Sequence, residues 1–417
     1  MRRAALYICY YNIGEPLVQT QVVAYLRELA ARGHEMHLLT FEVQRLSRRD
    51  AAQVRRDLAA VGIRWHWLRY HRRPSLPATL YDIAIGSLCA GWLCLRHGLP
   101  LIHARSHVPG AMALALKALL RRTFLFDFRG QLAEEYADAG HWSRTGAPYR
   151  LTRWMERRLL LAADGIVVLT ERMREQLLVE ARVRESRRGN IAVIPCCVDT
   201  RLYAACRELG RRYRQERGWT DRCVLLYLGK LSERYMPSEL ARFAASALRT
   251  DPTAHFQIVT QGDARVLLAR LAELGVDERR YDVRRVLPTD VPMVLAAADA
   301  TLSFIGGEDS KRAVSPTKVG ESLACGVPVV SSAGVGDLDG IIEEHRLGVI
   351  VPDFTDEGIR RSLAALRRLL ADPDLAARCR DYVDRELSLA EVGGPRYARL
   401  YALLQGNGRQ GEQTGSR

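Results

Sequence analysis

Short apolar runs alternate with stretches of helical periodicity along almost the whole chain. Ala4 to Tyr10 reads as a buried strand, followed by a turn-rich loop from Asn12 to Pro16. Gln19 to Arg32 carries Val22, Val23, Leu26, Leu29 and Ala30 on one helical face, Gly33 ends it, and Met36 to Thr40 is the next strand. The same reading gives a polar helix over Gln44–Ala60, a strand over Ile63–Tyr70 and an apolar helix over Leu80–Arg96. Leu101 to His107 is predicted as a strand running into a loop, Ala111 to Arg122 as a helix, and Phe124 to Gly130 as a strand. Glu134 to Trp142 is predicted as a loop, Tyr149 to Ala163 as a helix, Gly165 to Thr170 as a strand, Glu171 to Ala181 as a helix and Ile191 to Cys196 as a strand. The pattern restarts at the strand Cys223–Leu228 and runs through strands ending near Thr260, Leu287, Ile305, Val330 and Val351, with helices between them. Strands alternating with helices predict parallel sheets, and a pattern that starts twice predicts two Rossmann-like domains.

Length and composition agree with this picture. A chain of 417 residues exceeds one ordinary core, and 48% hydrophobic with 26% charged residues is the balance of a globular protein. The net charge of +14 points to an acidic partner, but arginines scattered over the whole length dilute that signal. Lysine is more informative: it occurs only at Lys117, Lys230, Lys311 and Lys318. The nine cysteines lack CxxC spacing and read as reduced core thiols, which predicts a cytoplasmic protein. Thr79 to Leu95 is the nearest approach to a membrane span; it is short, interrupted by Asp82, and predicted to be a buried helix. The basic end of the Ala111–Arg122 helix is a candidate contact with an anionic membrane surface, which adds a peripheral position on the inner face of the membrane to the expectation.

The chemistry concentrates in the run Ser315-Pro316-Thr317-Lys318-Val319-Gly320-Glu321-Ser322-Leu323-Ala324-Cys325-Gly326-Val327-Pro328-Val329-Val330. Pro316 suits a first helical turn, Ser315 is a candidate cap, Gly326 ends the helix, and the valines start a buried strand. A helix start offers amides and partial positive charge, and Lys318 adds a full charge: together they are an anion site suited to a diphosphate. Glu321 follows on the same face, where its carboxylate can accept from a pair of sugar hydroxyls.

This run resembles the nucleotide-sugar signature of GT-B glycosyltransferases of the retaining GT4 type. The resemblance extends to Gln21-Val22-Val23-x-Tyr25-Leu26-Arg27-x-Leu29-Ala30-x-x-Gly33-His34 and to Val198-Asp199, which looks like the exit from the first domain. It implies two domains facing across a cleft: 1–199 on the acceptor side, 200–388 binding the donor, a helix over 389–405 crossing back to the first domain, and a disordered tail over 406–417. It implies a donor site of Gly14, Lys230, Arg234, Lys311, Ser315, Thr317, Lys318 and Glu321, with Glu321 on the ribose hydroxyls. Lys230 stands where the family usually has arginine, and Tyr235, preceded by Arg234, where it has a second cation.

The catalytic candidates are His107, Arg105, Asp127 and Arg129, at the carboxyl ends of two predicted strands. His103, Arg105 and His107 alternate, so one side of an extended strand would present all three. A further glutamate of the family motif, which contacts the transferred sugar, is replaced by Ala313; Glu308, Asp309 or Lys311 are the candidates to serve instead. Asp337-Leu338-Asp339 reads as loop, so no metal or other cofactor is expected, and the cations carry the diphosphate. The expected partners are a nucleotide-diphosphate sugar, a glycan or lipid-linked acceptor and an anionic membrane surface, without nucleic acid. Two other readings are an epimerase of the same architecture using carboxylates between Asp127 and Glu135, and a non-catalytic nucleic-acid- or membrane-binding protein.

Overall fold

The computed structural model describes residues 3–180 and 189–406. The end of the predicted helix at Ala181 and the predicted tail beyond Gly406 lie outside them. The chain forms two compact units, Met1–Pro195 with Leu389–Arg417 and Cys196–Ser388.

The first unit holds a seven-stranded, wholly parallel sheet in the order β3-β2-β1-β4-β5-β6-β7. Its strands are β1 (Ala4–Cys9), β2 (Glu35–Glu42), β3 (Ile63–Arg69), β4 (Leu101–Arg105), β5 (Thr123–Asp127), β6 (Gly165–Val168) and β7 (Ile191–Val193). β1 is buried at every position, because helices cover both faces of a parallel sheet and leave no polar side to alternate with. Between β1 and β2 lie α1 (Pro16–Val18), a π-helical turn at Gln19–Val23 and α2 (Ala24–Ala31). The remaining helices are α3 (Arg48–Ala60), α4 (Ser75–His97), α5 (His107–Leu120), α6 (Leu132–Asp138), α7 (Ala147–Ala162) and α8 (Glu171–Glu180).

Two elements differ from expectation. Glu134 to Asp138 belongs to α6, where Ala133 and Glu134 are buried. Trp142 stacks on Tyr136 with ring centroids 4.4 Å apart. More consequential is α4, predicted to be buried. It turns a stripe of small side chains inward, with Ala78, Gly86, Ala90 and Gly91 among its buried positions, and leaves large apolar side chains exposed. A Cβ on Gly86 would meet Met112 at 2.7 Å, so the close approach of α4 to α5 selects small residues on the inner face.

The second unit is a six-stranded parallel sheet in the order β10-β9-β8-β11-β12-β13. Its strands are β8 (Cys223–Leu228), β9 (Ala254–Val259), β10 (Tyr281–Arg284), β11 (Ala300–Ser303), β12 (Val329–Ser332) and β13 (Gly348–Val351). Its helices are α9 (Cys206–Glu216), α10 (Pro237–Thr250), α11 (Arg265–Glu273), α12 (Val291–Ala296), α13 (Thr317–Ala324), α14 (Leu338–His345), α15 (Asp356–Leu370) and α16 (Leu375–Tyr382). The division between units falls at Pro195, so Cys196 to Asp199, assigned to the first domain from sequence, belong to the second. The cause is local: Val198 N–H donates to Leu387 O at 2.8 Å, and Val198 bridges Ser388. After Ser388 the chain rejoins the first unit as α17 (Gly394–Gly406), where Tyr401 accepts or donates 2.8 Å from His103 Nδ1.

Candidate functional site

In each sheet the strand order reverses once, between β1 and β4 and between β8 and β11. Loops beyond the carboxyl ends of such a pair diverge and leave a crevice.

In the second unit this place is built around the start of α13. Pro316 is the N-cap residue and no side chain caps the helix. Ser315, the expected cap, instead accepts a hydrogen bond from Cys196 N–H at 3.1 Å. Leaving that part-buried amide unpaired would cost more than leaving a helix end open to solvent. Gly320 lets the same segment approach, since a Cβ there would stand 2.7 Å from Val198 Cγ2.

Lys318 is half-buried, and its ammonium lies 2.9 Å from where a Cβ on Gly229 would stand. Burial lowers its pKa and neighbouring Lys230 lowers it further, while Glu321 opposes them. Burial raises the Glu321 carboxyl, against the pull of Lys318. Tyr203 lies near enough for the Glu321 charge to add to the burial that pushes its phenol up. Half-buried Glu321 thus lies within electrostatic reach of Lys318, Tyr203 and Cys325.

Lys230 is exposed just past β8, where Tyr227 donates its hydroxyl proton to the Lys230 carbonyl at 2.6 Å. The carbonyl of half-buried Arg234 accepts from Gly306 N–H at 2.8 Å, clasping the loop after β8 to the loop after β11. A cavity of about 510 Å³ lies at the ends of β9 and β10, lined by Thr260–Arg265 and Val283–Arg285.

Thr317, Lys318 and Glu321 thus lie in the first turns of α13, and the Lys318 ammonium stands beside Gly229, next to Lys230. Lys311 Nζ donates to Ala333 O at 3.1 Å and lies against Gly334, one of its three N–H groups being taken up by the turn after β12. Ala313 is buried, so this backbone position offers no side chain to a sugar. Asp337-Leu338-Asp339 is not loop but the start of α14, and Asp339 accepts from Gly334 N–H at 3.0 and 2.9 Å.

In the first unit, β4 ends at Arg105, and Ser106 takes a positive φ of 67° before α5 begins at His107. That break overturns the expectation of one extended side. His103 and Arg105 face Asp127, whereas His107 turns away to Glu156 of α7, Nε2 to Oε2 3.0 Å. The other ring nitrogen of His107 stands 3.4 Å from Ser106 Oγ. His107 is thus a buried, tethered side chain and not the loop residue predicted.

Asp127 is the hub of a buried cluster. Arg105 Nη1 and Arg129 Nη1 donate to it at 3.4 Å each, Tyr7 donates at 3.3 Å, and His103 Nε2 stands 3.7 Å away. Burial by itself would raise the Asp127 pKa, but Arg129, His103 and Arg105 outweigh it and hold the carboxyl far below its ordinary range. Arg105 is only 4% exposed and also donates to Gln21 O, so it braces the strand ends and presents no free guanidinium.

The Gly14 loop is exposed at its tip and anchored beneath. Ile13 N–H donates to Glu42 at 3.0 Å, and Gly14 N–H to Asn12 Oδ1 at 2.7 Å. Sequence reading missed Glu42, whose position at the end of a strand rich in apolar residues was the available signal. It also missed Glu156, since nothing in the local pattern of α7 marks that carboxylate.

Comparison with known proteins fits this construction. Residues 18–202 match the model described as Glycosyltransferase Family 4, and residues 222–372 match that of Glycosyl transferases group 1. The chain belongs to the GT4-like glycosyltransferases.

It is 24% identical over 256 residues to an alpha-D-kanosaminyltransferase of Streptomyces kanamyceticus, over 61% of this chain and 60% of that one. It is 30% identical over 187 residues to a GDP-mannose-dependent alpha-(1-6)-phosphatidylinositol monomannoside mannosyltransferase of Mycolicibacterium smegmatis, over 44% and 48%. These matches span less than two thirds of either relative's length. The HepE structure from Anabaena in complex with UDP superposes with a TM-score of 0.67 at 15% identity, covering 96% of this chain and 100% of that one. That likeness shows the two-domain GT-B fold. Of the carboxylates that an epimerase would need, Asp127 is held by arginines and Glu134 accepts from Tyr149 at 2.6 Å.

Proposed function

We propose that this glycosyltransferase moves a sugar from a nucleotide-diphosphate sugar to a hydroxyl of a glycan or lipid-linked acceptor, with retention at the anomeric carbon. The observation that carries the reading is the uncapped start of α13, with half-buried Lys318 and Glu321 in its first turns and the Lys318 ammonium reaching Gly229, next to exposed Lys230. A carboxylate accepts from the two ribose hydroxyls, and the lysines with the first-turn amides meet the diphosphate. When the sugar–phosphate bond breaks, negative charge grows on the leaving phosphate, and cations already in place stabilise it without reorganisation. These groups supply the charge stabilisation that a metal would otherwise provide, so we propose metal-independent transfer. Retention needs the acceptor hydroxyl on the face the phosphate leaves, with its proton passing to the departing oxygen.

Both named relatives act on sugars, one of them GDP-mannose-dependent, which supports a diphosphate donor without identifying the base or sugar here. A thermal-shift panel of UDP-, GDP-, dTDP- and CMP-sugars tests the reading. One diphosphate series should raise the melting temperature, by an amount that grows with concentration. No response to any nucleotide would refute it.

A further inference from the structure

The outward face of α4 has no role in the donor site, and its composition is inverted for a surface helix. Leu76, Leu80, Tyr81, Leu88, Trp92 and Leu95 are exposed, Leu88 by 71% and Leu95 by 63%. Leu88, Trp92 and Leu95 follow one another at spacings of four and three, and Leu80, with exposed Ala84, continues the stripe toward the helix start at spacings of four. At ~1.5 Å per residue the helix is about 35 Å long, and it is the one described helix apolar and long enough to cross a membrane.

It is not free to do so. Asp82, buried on the inner face, accepts from Tyr10 OH at 2.6 Å and from His71 N–H at 3.0 Å, and lies 2.6 Å from His71 Nδ1. Gly86 and Gly91 fit against Met112 and Leu116 of α5. Removing the helix from the unit would strand that carboxylate and open those contacts.

We propose that this face lies on a membrane surface bearing anionic phospholipid, with α4 in the plane of the interface. Charge identifies the occupant. From Tyr70 to Arg122 the sequence holds a single acid, the buried Asp82, while Arg72 and Arg73 are exposed before the helix, Arg96 at its end and Arg121 just after α5. A second copy docked on the same face would bring these like charges together, whereas lipid phosphates complement them. Tyr81 and Trp92 place amphipathic rings where such rings favour the boundary between water and hydrocarbon. Leu119, on the neighbouring helix α5, is 78% exposed as well.

The test reads binding and not transfer, so it is independent of the donor assignment. The full chain is sedimented with vesicles of phosphatidylcholine alone and of phosphatidylcholine mixed with phosphatidylglycerol. The protein should bind the mixed vesicles, and less so in high salt. Leu88→Glu with Leu95→Glu should weaken binding at least about tenfold. Arg72→Ser with Arg73→Ser should cost about fivefold for each charge removed and narrow the preference for the mixed vesicles. Both variants alter exposed side chains, and an unchanged melting temperature confirms that they fold. Equal binding by wild type and the Leu88/Leu95 variant, or none to mixed vesicles, would overturn the proposal. So would a wild-type dimer that this variant dissolves, since the face would then belong to a second copy.

Discussion

The ammonium of Lys318 occupies the space beside Gly229, only 2.9 Å from the point where a Cβ would begin. A methyl group there would have to push the flexible end of Lys318 aside, while the backbone at Gly229 has no left-handed φ to forbid it. Gly229→Ala should displace Lys318 and weaken binding of the cognate nucleoside diphosphate by about tenfold, one lost charge-assisted contact. Calorimetric titration measures this; unchanged affinity would show that Lys318 does not meet the phosphates.

Glu321 should trade stability for binding. Burial raises its pKa, so between the ordinary and the raised value the folded protein keeps a proton that the unfolded chain has lost. Stability then falls as pH rises through that window, and the ionised carboxylate is a net cost at neutral pH. Glu321→Gln is expected to melt no lower than wild type at pH ~7, with the difference vanishing below pH ~4. Glu321→Ala and Glu321→Gln should both lose donor affinity, roughly ten- to a hundredfold for hydrogen bonds to a charged acceptor. Melting curves across pH, with and without nucleotide, separate the two effects. A variant that melts lower and binds normally would contradict both.

Asp127 has the opposite sign. Its cationic neighbours depress its pKa, so its contribution is present above the ordinary carboxyl range and is lost as pH falls toward the depressed value. Asp127→Asn should destabilise by about 3–5 kcal/mol at neutral pH, because Arg105 would be left buried without its counter-charge. The deficit, measured by urea unfolding, should shrink in strong acid. A neutral variant would mean that Arg105 finds another partner.

His107 and Glu156 should behave as one unit. A double-mutant cycle with His107→Ala and Glu156→Ala is expected to give a coupling of roughly 1–3 kcal/mol in unfolding free energy. Additive losses would show that the 3.0 Å contact does not hold the histidine.

Much of the architecture is legible in the linear pattern because strands and helices answer to short-range periodicity. The apolar run of β1, the amphipathic face around Val22 and Leu26, and the proline and glycine that bracket α13 all act within a few residues of chain. The pairing of Lys318 with Glu321 is legible for the same reason, since both lie within one turn of one short helix. Side-chain partners are different. Ser315 could cap its own helix or accept from Cys196, and only the folded chain brings that amide within 3.1 Å. Likewise, only the fold shows that the turn after β12 brings the Ala333 carbonyl within reach of Lys311.

What the sequence by itself determined is therefore the order and type of elements, two parallel domains, and the cluster at Ser315–Val330. Tertiary structure alone decided which charges meet and which faces turn outward. Arg105 and Asp127 pair because adjacent parallel strands bring them into register. His107 leaves that side because Ser106 breaks the strand at positive φ. In α4, whose apolar residues surround the whole helix, periodicity could not choose a buried face. The choice fell to Gly86, Ala90 and Gly91, small enough to let α5 approach, and it left Leu88, Trp92 and Leu95 outside.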